Sequence, residues 1–358
     1  MKKILVLLTG GTICTALNEE GMLSVSEKRG ILLKENYLKS DSPFTNDIEF
    51  VLSENLKILS ENMTVEKWNE ILKTYIRYTE EEEYDGVIIA HGTDTLGYTA
   101  SLFSILLSDT KVPVFFVSAN APLNSPLSNG NENFKTSVEC IMRGIEPNVY
   151  AVYKNILDSK MLIHLASRLT QCPDYSDDFH SEGEIDITDM NDGNYECYFE
   201  KIKNCFPQDK RKSFFPDLKD VNLKPSVLMI DPFVGIDYSL YDYSKTPCVL
   251  HGAYHSGTVC VNDTEKGYGK NSVLYMFDKC FSLGTDVYLF PSQYKKETYE
   301  TVSLTHSHTN SGKRVTFLYG TTKETAYAKL LIAYSLFDDA EKRKEFMETE
   351  CNFEIIKK

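Results

Sequence analysis

Two short stretches carry side chains whose types and spacing suit attack on a polar bond. The first is Thr9-Gly10-Gly11-Thr12, which interrupts the apolar run Ile4 to Leu8. A threonine hydroxyl just past the end of a buried strand can act as a nucleophile when a neighbour removes its proton. The two glycines before it let the backbone turn sharply and let a ligand approach closely. The second is His91-Gly92-Thr93-Asp94-Thr95, which follows the apolar run Gly86 to Ala90. Each turn taken alone reads equally well as a strand-to-loop turn with a local polar cap. Two such turns in one chain, each emptying hydroxyls or a carboxylate at the end of a buried strand, point further. If the strands are parallel near-neighbours, Thr12, Thr93 and Asp94 meet in the crevice where open α/β sheets bind ligands. His91 reads as a residue that shapes its turn.

Other chemistries find less support. The Gly10-Gly11 turn lacks both GxGxxG and GK[ST], so no nucleotide is expected. His306 and His308 form an HxH, and His251 and His255 stand four apart, spacings that zinc can use. No acidic or cysteine partner stands near them at ligand spacing, so no metal is expected. With 52 acidic against 38 basic residues the formal charge is -14, which argues against nucleic acid or an anionic membrane face as partner. The nine cysteines are scattered without a CxxC, as in a reduced cytoplasm. The opening MKKILVLLTGG has too short an apolar run for a signal peptide and reads as a first strand. No stretch approaches a membrane span.

Elements that would position these residues follow from periodicity. Strands are expected near Ile48–Leu52, Leu56–Leu59, Val112–Ser118 and Asn148–Tyr153. A helix opens at Thr64, with Trp68, Ile71, Leu72 and Tyr75 on one face; further helices span Tyr98–Leu107 and Asn133–Arg143. Cys14 to Gly30 is polar and reads as a mobile surface loop, a lid over the first turn. Strand and helix alternate, which predicts a doubly wound α/β domain. The Lys-, Asp- and Pro-rich stretch after Asn204 reads as a linker. A smaller α/β domain follows, with strands near Thr246–His251, Asp286–Phe290 and Val315–Tyr319 and a last helix from Lys323 to Phe337. The division expected is a domain over 1–205, a linker over 206–225 and a second domain over 226–358.

TGGTI near the amino terminus paired with HGTDTL some eighty residues later resembles the joint signature of the bacterial L-asparaginase/glutaminase family. The likeness extends over YDGVIIAHGTDTLGYTASLFSILL (Tyr84 to Leu107), the Asn/Ser/Gly-rich loop from Ser118 to Asn133, LHGAYHSGTVC, and TTKETAYAKLLIA from Thr321 to Ala333. It covers nearly the whole chain and is strongest over residues 1–130. With no export signal, the chain is most similar to the cytoplasmic, type I branch. The family member that serves tRNA amidation carries an extra amino-terminal domain, for which this chain has no room.

The resemblance implies an asparaginase-like fold: a larger flavodoxin-like doubly wound domain and a smaller α/β domain. It also implies active sites completed across a homodimer, often within a homotetramer. The implied reaction converts L-asparagine to L-aspartate and ammonia through an acyl-enzyme on Thr12, with neither cofactor nor metal. Thr93 would orient water or relay protons. Asp94 would hold the substrate's α-ammonium and support the relay. Ser60 would bind the α-carboxylate, and Glu61 would help grip the amino-acid backbone. The chain departs from the family in two places. Met22 stands where the lid tyrosine is expected. His164 aligns with the relay lysine, and a small gap would bring Ser167 or Arg168 there instead; Lys154 and Lys160 fall off the site. Beside the L-asparagine hydrolase stand two further readings: an enzyme acting on L-glutamine, and a catalytically impaired relative that binds an amino acid.

Overall fold

The computed structural model describes residues 1–17, 23–25, 27–181, 185–186, 194–264, 267–292 and 299–356. The chain divides into two compact units. One comprises Met1–Leu223 with Thr349–Phe353; the other comprises Lys224–Glu348 with Glu354–Lys358.

The first unit is built on β1 (Lys2–Leu8), whose residues from Ile4 onward are buried on both faces. That is the reason for its unbroken apolar run, since a strand covered by helices on both sides has no solvent face to mark with polar residues. The chain continues through α1 (Glu27–Leu38), β2 (Ile48–Leu52), α2 (Val65–Glu81), β3 (Gly86–Ala90), α3 (Leu96–Leu106), β4 (Val114–Val117), α4 (Gly130–Arg143), β5 (Val149–Lys154), β6 (Met161–Leu165), β7 (Ile185–Asp186) and α5 (Tyr195–Cys205). The sheet is seven-stranded, in the order β7-β6-β5-β4-β3-β1-β2. β2, β1, β3, β4 and β5 run parallel, and β6 and β7 pair antiparallel at the edge. The 2-1-3-4-5 order is the flavodoxin-like doubly wound arrangement, with its topological switch between β1 and β3.

Local chemistry accounts for the helices. Thr64 caps α2 by accepting from the Lys67 N–H at 3.3 Å, and the Trp68–Ile71–Leu72–Tyr75 face is buried. The Trp68 indole donates to Thr99 Oγ1 at 2.9 Å, fastening α2 to α3. α3 is buried all round, which suits a helix inside the core. α4 ends at Gly144, whose φ of 82° closes the helix with paired bonds back to Cys140 and Ile141.

Several expectations need correction. The expected lid contains a two-stranded hairpin, Thr15–Leu17 against Leu23–Val25, and the start of α1; Met22 lies outside the described residues. α1 buries Leu33 and Tyr37, four residues apart on one face, against Phe50 and Phe134. The strand expected at Leu56–Leu59 reduces to a single parallel bridge between Ile58 and Gly10. The expected linker is, through Leu223, part of the first unit. Its apolar residues Phe215, Val221 and Leu223 are buried, and the Asn69 side chain holds Leu223 by both its N–H and its carbonyl, each at 2.9 Å. Residues 349–353 return to the same unit, where the Asn352 amide reaches Ser104 and Asn148. Charge and proline content therefore read as a linker over a stretch whose few apolar residues anchor it.

The second unit has a four-stranded parallel sheet of β8 (Val227–Ile230), β9 (Cys248–Gly252), β10 (Asp286–Ser292) and β11 (Thr316–Tyr319), in that order. Its longer helices are α6 (Val273–Leu283), α7 (Glu300–Ser307), α8 (Lys323–Leu336) and α9 (Ala340–Glu348). A fully buried ion pair, Lys329 Nζ to Glu354 Oε1 at 2.6 Å, ties α8 to the last turn of chain. No described helix is long and apolar enough to cross a membrane.

Candidate active site

Three backbone segments converge at the switch between β1 and β3. The end of β1 is locked to the end of β3 by Thr9, whose N–H and hydroxyl both donate to the Ala90 carbonyl, at 3.1 and 2.8 Å. The chain then turns through Gly10 (φ 134°) and Gly11 (φ 73°) into a short 3-10 turn, Thr12–Cys14. A strap from the third segment runs alongside: Ile58 donates to the Thr9 carbonyl at 2.8 Å and accepts from the Gly11 N–H at 3.0 Å. A Cβ on Gly10 would overlap the Ile58 main chain, one on Gly11 the Gly92 main chain, and one on Gly92 the Ser60 side chain. Glycine is thus required at 10 and 11 by backbone-to-backbone approach and at 92 by the Ser60 side chain, and these approaches bring the turns bearing Thr12, Ser60 and Thr93–Asp94 together.

The polar groups are arranged around this contact. Ser60 is buried; its hydroxyl donates to Asp94 Oδ2 at 2.8 Å and accepts from the Asp94 N–H at 3.3 Å. The Thr95 hydroxyl donates to the Ser60 carbonyl at 3.0 Å. Thr12 and Thr93 are half-buried, while Asp94 and Glu61, the latter in the short turn Ser60–Asn62, are exposed. A serine and a carboxylate side by side at a solvent-open crevice offer hydroxyl and anionic contacts to a zwitterion. His91 lies beneath them, fully buried. Its Nδ1 donates to the Gly92 carbonyl at 2.7 Å, and its own carbonyl accepts from Ser118 Oγ at 2.7 Å. Burial lowers its pKa to about 4 despite the opposing Gly92 carbonyl and Asp94, so the ring is neutral near pH 7 and braces the turn.

His164 is not part of this group. It lies inside β6, in the register row that runs across the sheet through Leu7, Ile89, Phe116 and Ala151. That row is one residue short of the carboxyl ends of β1, β3 and β4, so the separation from the crevice is lateral. β6 is separated from β3 by β5 and β4, roughly 14 Å at ordinary strand spacing. Its Nδ1 meets Ser181 Oγ at 3.0 Å, and burial, with a smaller contribution from His180, lowers its pKa to about 3. The structure does not bring the expected relay residue His164 to this group: it stands three strands across the sheet from β3. Ser167 and Arg168 are engaged elsewhere, Ser167 Oγ donating to the Asn352 carbonyl and Arg168 Nε to the Phe353 carbonyl, both at 2.6 Å. The residue that does reach the Thr93 turn is Gln171, whose amide donates to the Thr93 carbonyl at 2.7 Å. Cys172 follows it; burial raises its thiol pKa, with Asp177 and Asp94 adding to the rise. No spacing in the sequence marks Gln171, because its position depends on the route of the chain after β6.

Among the described residues no three His, Cys, Asp or Glu side chains gather as metal ligands. His251 bonds Tyr238, His308 bonds Asp278, and His306 stacks on Phe317.

Comparison with known proteins agrees with this architecture. The family model described as "Asparaginase, N-terminal" matches residues 3–203. The L-asparaginase of Thermococcus kodakarensis is 31% identical over 153 residues, covering 42% of this chain and 44% of that protein. A subunit of the glutamyl-tRNA(Gln) amidotransferase of Methanosphaera stadtmanae is 24% identical over 367 residues, covering 99% of this chain and 77% of that protein. The first curated relatives are each matched over less than half of their own length. The solved structure of the thermostable L-asparaginase from Thermococcus kodakarensis superposes with a TM-score of 0.69 at 20% identity, covering 99% of this chain and all of that one. The chain belongs to the asparaginase family. Its mixed α/β fold, with a doubly wound parallel sheet in the larger unit, is that of the solved L-asparaginases.

Proposed function

We propose that this protein is an amidohydrolase that converts L-asparagine to L-aspartate and ammonia. The observation that carries the reading is the convergence of the Thr12 turn with the Thr93–Asp94 turn at the sheet's switch point, held by Gly11 against Gly92. The Thr12 hydroxyl oxygen bonds to the carboxamide carbon as its proton passes, by way of Thr93, toward the departing nitrogen. The C–N bond then breaks, ammonia leaves, and an ester on Thr12 remains. Water adds to the ester and restores the hydroxyl. Asp94 pairs with the substrate's α-ammonium; Ser60, whose hydroxyl donates to Asp94 in the ligand-free site, turns its O–H to the α-carboxylate when substrate binds, and Glu61 assists at the rim. The working form is a homodimer or homotetramer in the cytoplasm.

A second reading, action on L-glutamine, is favoured by the relative that aligns with nearly the whole chain, which belongs to an amidotransferase. Ammonia release from both amides by the purified protein separates the two. Replacing Thr12 with Val keeps the shape and removes only the hydroxyl, so turnover should fall by at least about a hundredfold with the fold intact. Wild-type turnover in Thr12→Val excludes this nucleophile. Binding of L-aspartate without ammonia release from any amide establishes the impaired, amino-acid-binding relative.

A further inference from the structure

The first turn of α3 is capped from outside the helix. Thr95 occupies the N-cap position, where a hydroxyl ordinarily accepts from an N–H of the first turn, yet it makes no such bond. Its hydroxyl is committed to the Ser60 carbonyl. The Gly97 N–H donates instead to Gln171 Oε1 at 3.0 Å, while Nε2 of the same amide donates to the Thr93 carbonyl at 2.7 Å. The orientation of the amide follows from its partners, since a flipped group would set N–H against N–H and carbonyl against carbonyl. The arm that carries it is seated on α3 itself, because the Ser101 hydroxyl donates to the Ala166 carbonyl at 3.3 Å just upstream.

We propose that Gln171 is a positioning residue of the active site: its amide clamps the Thr93 carbonyl to the amino terminus of α3 and thereby orients the Thr93 hydroxyl toward the substrate. This rests on the amidohydrolase reading above. Side chains on a turn point where the turn's peptide planes direct them, and an error of about 1 Å in a proton-relay group can reduce turnover on the order of a hundredfold. The clamp acts through Thr93 and does not itself touch substrate, so it governs kcat more than KM.

The test exploits the near-identical shape of glutamine and protonated glutamate. In Gln171→Glu the ionised carboxylate still accepts from Gly97 but sets a lone pair against the Thr93 carbonyl. The protonated acid restores one donor and one acceptor in the same places. With L-asparagine as substrate, kcat of Gln171→Glu relative to wild type should be down at least about tenfold at pH 8. It should recover as pH is lowered toward 5, with KM changed less than about threefold. Gln171→Ala should be low at every pH, and thermal melts report whether each variant is folded. A merely structural glutamine gives no pH-dependent rescue. Wild-type kcat in both folded variants, or a deficit in Gln171→Glu that is uniform with pH, overturns the clamp. A wild-type protein that releases no ammonia from any amide overturns the amidohydrolase reading instead.

Discussion

In the proposed reaction, recognition turns on Asp94. Its carboxylate is exposed at the crevice yet held by the Ser60 hydroxyl, so its direction is set before a ligand arrives. Preorganisation of this kind lowers the entropic penalty of binding a small zwitterion. Losing a charge-assisted contact to a desolvated ligand costs on the order of 2–5 kcal/mol. Asp94→Ala should therefore weaken L-aspartate binding by at least about tenfold in calorimetry, and unchanged affinity would remove Asp94 from the site. Legibility at this scale was uneven. Thr12, Ser60, Thr93 and Asp94 lie in short motifs whose partners meet through main-chain contacts. Met22 lies outside the described residues. His164 is not brought to this group, because an aligned position says nothing about how far across the sheet its strand stands from the crevice.

At the scale of elements, the site depends on two glycine turns touching. Gly11 has a φ of 73°, and a Cβ there would overlap the Gly92 main chain, which cannot swing aside as a side chain could. Gly144 has a similar φ of 82° but nothing within 4 Å of a built Cβ. Gly144→Ala should destabilise the protein by about 1 kcal/mol from backbone strain alone. Gly11→Ala should add the displacement of β1 from the Gly92 turn, for a total above about 3 kcal/mol, and reduce turnover as well. Urea unfolding of the two variants side by side measures the difference, and equal losses would mean that the turns do not depend on contact. Helices with an apolar face and a cap, such as α2 behind Thr64, could be read from periodicity because burial and capping act locally. The expected strand at Leu56–Leu59 could not, since one bridge to Gly10 is all the geometry of the strap allows.

For the whole molecule, buried histidines weaken the fold in acid. His91, His164 and His251 have pKa values lowered by burial to about 4, about 3 and about 4. In the unfolded chain they titrate near 6.5. Between those values the unfolded state binds protons that the folded state refuses, so stability rises with pH. The contribution is complete above about pH 6.5 and is lost as pH falls toward 4. Lowering a pKa by one corresponds to about 1.4 kcal/mol, so the three histidines together reach several kcal/mol. Melting temperature should therefore drop from pH 7 to pH 5. His164→Gln should flatten that drop while leaving the shape of the pH–rate profile unchanged. A profile that shifts with His164→Gln would return this residue to the mechanism.

Some of the architecture could be read from the linear chain because its causes are local. An apolar run with no polar alternation means a strand buried on both faces, and Gly-Gly or His-Gly-Thr at its end means a turn that brings a hydroxyl into the open. Those two facts, in Ile4–Thr12 and Gly86–Thr95, put Thr12 and Thr93–Asp94 together on the condition that the two strands are parallel neighbours, and the strand pairing meets that condition. Tertiary structure alone decided which residue reaches the Thr93 turn from elsewhere. The antiparallel return of β6 buries His164 three strands away from β3, docks Ser167 and Arg168 on the returning carboxyl-terminal segment, and carries Gln171 to the start of α3. Contacts between segments some eighty residues apart in sequence are settled by how strands pair and where the chain closes its core. Nothing in the spacing of the residues themselves encodes that.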